Sequence, residues 1–166
     1  MSIPIGHYDS TNQIVTFGNS GRKIWREGEG LVHKIDPERL SSEWRSKMEA
    51  LLPFFELGAW AGFLENGYRT YYIEGTDLQG NEPFEIDGSR SQVVVPIEQR
   101  LQVLAIFGSA IRAGRRLGFT LGDITCGNIL TDGNQCFLID YDVIVPWPLP
   151  ESHVQVWQNT LRLLFG

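Results

Sequence analysis

Apolar and polar positions change rhythm several times along the chain. In QIVTFGNSGRKIWREGEG, residues 13–30, they alternate on either side of Gly18-Asn19-Ser20-Gly21, which reads as two short strands around a turn. A second turn, Glu27 to Gly30, leads into GLVHKI, a third strand. At Asp36-Pro37 the period lengthens. Asp36 can cap a helix and Pro37 suits its first position, where a missing N–H costs no hydrogen bond. Leu40, Trp44, Met48, Leu51 and Leu52 then form one apolar stripe, and Pro53 stops it. WAGFLENGYRTYYIEG predicts a hairpin through Glu65-Asn66-Gly67, and polar, glycine-rich residues 75–92 read as a connector. From Pro96 to about Leu117, the positions Ile97, Leu101, Leu104, Ile111 and Leu117 recur at helical spacing. Arg112, Arg115 and Arg116 suit the negative end of that helix dipole. A polar loop, a short strand NIL, a turn at Asp132-Gly133-Asn134 and a strand CFLID follow. Pro146, Pro148 and Pro150 interrupt regular structure, and a last helix from about Ser152 carries Val154, Trp157, Leu161 and Leu164 on one face. A β-rich first half with one helix, then helix, paired strands and helix, is an α+β order.

Composition narrows the class without changing that picture. With 166 residues, 42% hydrophobic and 20% charged, the chain suits one globular domain, with room for two small lobes and a core that needs no covalent staples. A net charge of −6 argues against a general binder of nucleic acid or anionic membrane. Cys126 and Cys136 stand in no metal-binding pattern and are too few for a disulfide framework. MSIPIGHYDSTNQ lacks the basic start and apolar block of a signal peptide. No apolar run nears the roughly 18 residues of a membrane span. The expected setting is soluble and cytoplasmic.

The chemistry concentrates in LGDITCGNIL, residues 121–130, and in FLIDYD, residues 137–142. Asp123 and Asn128 stand five positions apart on a turn between a helix and a strand, and Asp140 ends the next strand. A carboxylate, an amide and a second carboxylate are oxygen donors suited to Mg²⁺, which keeps water and substrate phosphates in its shell. Asp123 can then accept the proton of an attacking hydroxyl or orient it. The competing reading makes Asp123, Asn128 and Asp132 turn formers, a role common to these residue types.

The two segments together resemble the catalytic and metal-binding loops of the protein-kinase-like fold, with the nearest echo in aminoglycoside phosphotransferases and small lipopolysaccharide or Bud-type kinases. The family pattern is H-x-D-x-x-x-x-N, followed by an Asp in a D-F-G-like triplet. The resemblance implies that Asp123 is the catalytic aspartate, Asn128 a metal ligand and Asp140 the principal Mg²⁺ ligand, with ATP as cofactor. Leu121 replaces the histidine, and Asp142 stands where protein kinases have glycine. The same resemblance assigns Gly18, Ser20 and Gly21 to a turn over the phosphates, although that stretch also reads as a plain hairpin turn. Lys34 takes the place of the phosphate-pairing lysine, with Lys23 as its competitor, and Glu43 or Glu49 that of its helix partner, Glu43 being preferred. Tyr71, Tyr72 and Ile73 correspond to the hinge strand, whose backbone meets an adenine edge, with Gly75 turning the chain. The implied architecture is a small β-rich N-lobe with one helix (about 1–75), a connector (about 76–92) and a reduced, minimal helical C-lobe (about 93–166). Only 24 residues follow Asp142, so a protein partner or a homodimer is expected to complete that lobe.

His7, His33 and His153 are scattered and form no catalytic pattern. Cys126 reads as a small buried thiol, and the three arginines as a solvated helix end or a receiver for an anionic substrate or acidic partner. Three functions remain open from the sequence. The first is an ATP- and Mg²⁺-dependent phosphotransferase acting on a hydroxyl of a small-molecule or protein acceptor. The second is a catalytically weak or inactive pseudokinase-like binding module, and the third an unrelated α+β domain.

Overall fold

The computed structural model describes residues 23–27, 31–35, 41–56, 58–64, 67–71, 73, 76–78 and 95–165, the first two strands and 76–77 by their backbone course. The turn bearing Gly18, Ser20 and Gly21, the helix start at Asp36-Pro37, and Tyr72 lie outside these residues. The chain divides into two compact units. The first comprises residues 1–45 and 59–73, the second residues 46–58 and 74–166.

The first unit is built on a four-stranded antiparallel sheet. Strand β1 (Lys23–Glu27) pairs with β2 (Leu31–Ile35), β2 with β4 (Gly67–Tyr71), and β4 with β3 (Trp60–Leu64). The β3–β4 hairpin closes with Leu64 opposite Gly67, as the Glu65-Asn66-Gly67 signal requires. Its register slips between Trp60 and Gly62, where Gly62 takes φ +149°, a value that excludes most side chains. The core of this unit is aromatic. Tyr68 stacks on Trp60 at 5.1 Å and on Trp44 at 5.7 Å, while Phe63 meets the Trp60 ring edge-on at 4.9 Å.

Helix α1 (Ser42–Leu51) begins beyond a Ser41 cap: the Ser41 Oγ accepts the Trp44 N–H at 3.1 Å. Trp44, Met48 and Leu51 are buried along one face, matching the predicted stripe, and a 3₁₀ turn over Leu52–Phe54 follows at Pro53.

In the second unit, helix α2 (Ile97–Leu117) lies against strands β6 (Phe119–Leu121) and β8 (Cys136–Leu138) and against the Leu52–Phe54 turn. It ends as helices commonly do, with Gly118 in the left-handed region (φ +81°) and its N–H bonded to the Gly114 carbonyl. Strand β5 (Thr76–Asp77) pairs with β7 (Ile129–Thr131), and β7 with β8; β6 pairs with β9 (Ile144–Pro146). Helix α3 (Glu151–Phe165) follows, burying Trp157, Thr160 and Leu164.

The connector contributes a short strand, β5. One sequence expectation, that the prolines from Pro146 interrupt regular structure, is corrected. Pro146 is part of a strand, because it sits at the end of a two-stranded sheet opposite Phe119 and the next ladder bond is carried by Trp147 N–H to the Gly118 carbonyl. The α2 stripe forms the expected helix and lies largely on its outer side. Ile97, Leu101 and Leu104 establish the helix but are not its buried face; they are 57%, 56% and 41% exposed. The buried face instead holds Val103, Ile106, Phe107, Ala110, Ala113 and Gly114, with Gln99 and Ser109 among them.

Candidate functional site

The site lies in the second unit, in the two loops on either side of the β7–β8 hairpin. Strand β6 ends at Leu121, opposite Ile144 of β9, and the chain leaves the sheet at Gly122. A Cβ at position 122 would stand 2.7 Å from Val145 Cγ1 and 2.9 Å from His153 Cδ2, so only glycine fits. Its N–H bonds to the Val143 carbonyl at 2.9 Å, and its carbonyl accepts the indole N–H of Trp157 at 2.9 Å. Asp123 therefore leaves a residue pinned from two sides. Leu121 and Ile124, its apolar neighbours, are almost wholly buried (1% and 0% exposed), anchoring the loop between them.

After Asp123 the chain makes a 3₁₀ turn, Cys126–Asn128, and enters β7. The Asn128 Nδ2 donates to the backbone carbonyl of Asp123 at 3.0 Å. A carbonyl can only accept, so the amide is turned with Nδ2 towards Asp123 and Oδ1 away from it. The Asn128 carbonyl in turn accepts the Ile139 N–H at 3.0 Å, extending the β7–β8 ladder, in which Ile129 faces Leu138, by one step. That bond carries the backbone from Asn128 to the residue before Asp140.

Asp140 is buried, at 7% exposed, and its Oδ1 accepts the Asp142 N–H at 3.2 Å. Between the two acids Tyr141 is fully buried, and its hydroxyl donates to the Leu138 carbonyl at 2.7 Å. A Cβ at Gly58, in the same unit, would run into that hydroxyl and lie 3.4 Å from the ring carbon bearing it. Asp142 is buried as well. The connector reaches this region too: Leu78 N–H is 3.0 Å from both the Cys126 and the Ile129 carbonyls.

Of the residues singled out in the sequence, Asp123 and Asn128 are thus joined by a hydrogen bond, and the Asn128 carbonyl is bonded to Ile139, the residue before Asp140. Asp132 behaves as the turn former of the competing reading. Its Oδ1 accepts the N–H groups of Asn134 and Gln135 at 2.8 Å each, and these bonds hold its carboxyl below the usual carboxylate range. In the first unit, Lys34 stands within β2, paired with Ile24 and Tyr68, and Glu43 lies exposed in the first turn of α1. Ile73 is half-buried beyond the end of β4, where the chain passes into the second unit. Cys126 and Cys136 are buried thiols that form no disulfide. Burial, with the Asp132 charge second, pushes the Cys136 thiol up to about 11.

Sequence reasoning missed Gly122, Trp157, Tyr141 and Gly58. The first stands beside Asp123 and the third between Asp140 and Asp142, and adjacency to the acids is the only local signal either carries. Trp157 and Gly58 reach the loops from distant parts of the chain and leave no local pattern.

Among the described residues, no group of three or more His, Cys, Asp or Glu side chains is arranged to hold a metal. The donor set here is of another kind, one amide oxygen and one buried carboxylate. Both are hard oxygen donors, which fit a Mg²⁺ that retains water. No helix among the described residues is long and apolar enough to cross a membrane.

No family model matches the chain, and no curated protein matches it. Among solved structures, the kinase domain of PknI from M. tuberculosis is similar at 17% identity over 78% of this chain, with a TM-score of 0.46. A choline/ethanolamine kinase family protein from Mesorhizobium loti is similar at 15% identity over 76% of this chain, with a TM-score of 0.35. The chain spans 57% of the length of each.

Proposed function

We propose that the protein is a minimal kinase-like phosphotransferase that uses ATP and Mg²⁺ to phosphorylate a hydroxyl acceptor. One observation carries the reading: the Asp123 carbonyl fixes the Asn128 side-chain amide with its Oδ1 turned away, while the Asn128 backbone carbonyl accepts the Ile139 N–H, next to buried Asp140. A pair of turn formers does not need this arrangement, since Asp132 makes its turn with two local bonds alone. Asn128 Oδ1 and the Asp140 carboxylate are the atoms that would hold the metal, which neutralises phosphate charge when bound. Asp123 accepts or orients the acceptor hydroxyl proton, on a loop whose position is set by Gly122 and the Trp157 indole. Such preorganisation is the main contribution a protein makes to phosphoryl transfer. In the first unit, Lys34, with Glu43, belongs to the same proposal as the phosphate-positioning pair, with Gly18, Ser20 and Gly21 over the phosphates and Tyr72 and Ile73 at the adenine edge. The acceptor is a small molecule or a protein.

A catalytically weak or inactive kinase-like binding or regulatory module, with or without nucleotide, is the second reading, and Leu121 favours it. This side chain is 1% exposed and offers no hydrogen bond where the resembled motif has a histidine. The 139–142 segment nevertheless has other supports in the Tyr141–Leu138 and Asp142–Asp140 bonds.

Calorimetric titration with ATP in the presence and absence of Mg²⁺, coupled to an ATP-consumption assay, tests both. The first reading expects Mg²⁺-dependent binding that disappears in Asp140→Ala. It also expects binding to persist in Asp123→Ala while turnover falls by roughly 10²–10⁴-fold. Binding without turnover selects the second reading. An absence of nucleotide binding in the unmodified chain overturns the first, leaves the second only as a scaffold, and favours an unrelated α+β domain.

A further inference from the structure

The exposed face of α2 has an order that the proposed phosphotransferase site does not use. Ile97, Leu101, Leu104, Gly108 and Ile111 succeed one another at steps of four, three, four and three, the heptad spacing of a helix-pairing seam. The first three are the most exposed large apolar side chains of this helix, at 57%, 56% and 41%. On one flank of the seam stand Glu98, Ala105 and Arg112, all exposed and seven residues apart. The flanking charges are therefore opposite in sign and symmetric about Ala105. A two-fold interface requires this property, because each copy presents the same patch to the other.

We propose that this face pairs with the same face of a second copy, the two α2 helices running antiparallel about a two-fold axis near Leu104 and Ala105. In that arrangement Leu101 of each copy lies near Ile111 of the other, the two Leu104 side chains meet beside the axis, and Glu98 of each lies alongside Arg112 of the other. The two helix dipoles oppose favourably. Gly108 lets the Arg112 guanidinium lie back over it, since Arg112 Nη1 would be 3.3 Å from a Cβ there. Arg112 keeps its bond to the Ser109 hydroxyl at 3.1 Å, which aims the guanidinium along the flank. A cavity of about 420 Å³, lined in part by Ala105 and Arg112, gives that flank space for a second helix's side chains. Other partners fit less well, since a membrane-surface helix would carry its basic residues along the seam, whereas Arg112, Arg115 and Arg116 crowd one end. The helix spans about 31 Å, so the contact falls at the small end of specific interfaces. Contacts of that class are weak, and a dissociation constant on the order of 10–100 μM is the working expectation.

Sedimentation equilibrium of the full chain tests this. The weight-average mass rises towards twice that of one chain between about 10 and 300 μM, bracketing the expected constant. Leu101→Glu remains monomeric throughout while keeping the wild-type circular dichroism and melting curve, since its side chain is exposed. Glu98→Arg and Arg112→Glu each weaken association about ten-fold, and the double reversal restores it. Ala105→Cys forms a disulfide with its own copy on mild oxidation, against a background in which both native thiols are buried. A single-chain mass at every concentration overturns the proposal, and so does association that Leu101→Glu leaves intact or that the double reversal fails to restore.

Discussion

A methyl group added at Gly58 would collide with the Tyr141 hydroxyl, which is itself committed to the Leu138 carbonyl. Gly58→Ala is therefore expected to lower stability by about 1–3 kcal/mol through overpacking. Tyr141→Phe alone loses about 1 kcal/mol with its hydrogen bond. In the Gly58→Ala background the same change removes the clashing atom and is expected to be neutral or stabilising. A double-mutant cycle in urea measures that coupling, and additive losses would refute the contact. At this scale the chemical groups were legible in the sequence and their supports were not. Asp123, Asn128 and Asp140 stand out by type and spacing. Gly58 and Tyr141 matter through a contact between distant segments, which no local pattern reports.

At the scale of elements, α2 holds the β7–β8 hairpin with polar groups. Buried Gln99 accepts from the Thr131 hydroxyl at 2.7 Å and donates to the Gly133 carbonyl at 2.8 Å; Gln102 accepts the Cys136 N–H at 2.7 Å. Gln99→Ala strands the buried Thr131 hydroxyl and removes a bond to the exposed Gly133, and is expected to destabilise by about 1–3 kcal/mol. Gln99→Leu combined with Thr131→Val is expected to cost less than the sum of the single changes, because no hydroxyl is then left unsatisfied. Chemical denaturation of the four proteins checks this, and strict additivity would count against the network. The same helix shows the limit of periodicity. Both of its faces carry apolar residues at helical spacing, so the sequence identifies the helix without choosing between Leu101 and Phe107 as the one turned inward. The pairing of β6 with β9 and of β5 with β7 was hidden for a related reason. Strands of two or three residues take their stability from partners elsewhere in the chain and carry too few positions to show alternation.

Over the whole molecule, each compact unit has aromatic residues at its centre. Trp44, Trp60, Phe63 and Tyr68 gather in the first unit, and in the second Phe107 meets Trp157 edge-on at 5.1 Å. The α+β class and the order of the main helices were legible because each follows from a long periodic run or a strong turn signal. The division of the chain was less so, as residues 46–58 cluster with the second unit although they continue the first unit's helix. One global property follows from a single thiol. Cys136 titrates at about 11 in the folded protein, above its ordinary value near 9.0. The unfolded chain therefore releases that proton first, and stability declines as pH rises through this interval. Below the lower value the contribution is complete. Urea midpoints measured from pH 8 to 11 are expected to fall less steeply in Cys136→Ala than in the unmodified protein; parallel curves would exclude the thiol as a cause.

The hydrogen bond from Trp157 to the Gly122 carbonyl has an optical consequence. Indole emission responds to the polarity and hydrogen bonding of its ring nitrogen, and this indole is bonded to the residue immediately before Asp123. The protein thus carries an intrinsic fluorophore wired to its candidate catalytic loop. Occupancy of that loop by Mg²⁺ and nucleotide is expected to shift the emission, and Trp157→Phe to silence the shift. The loop can then be followed on the stopped-flow timescale without a label.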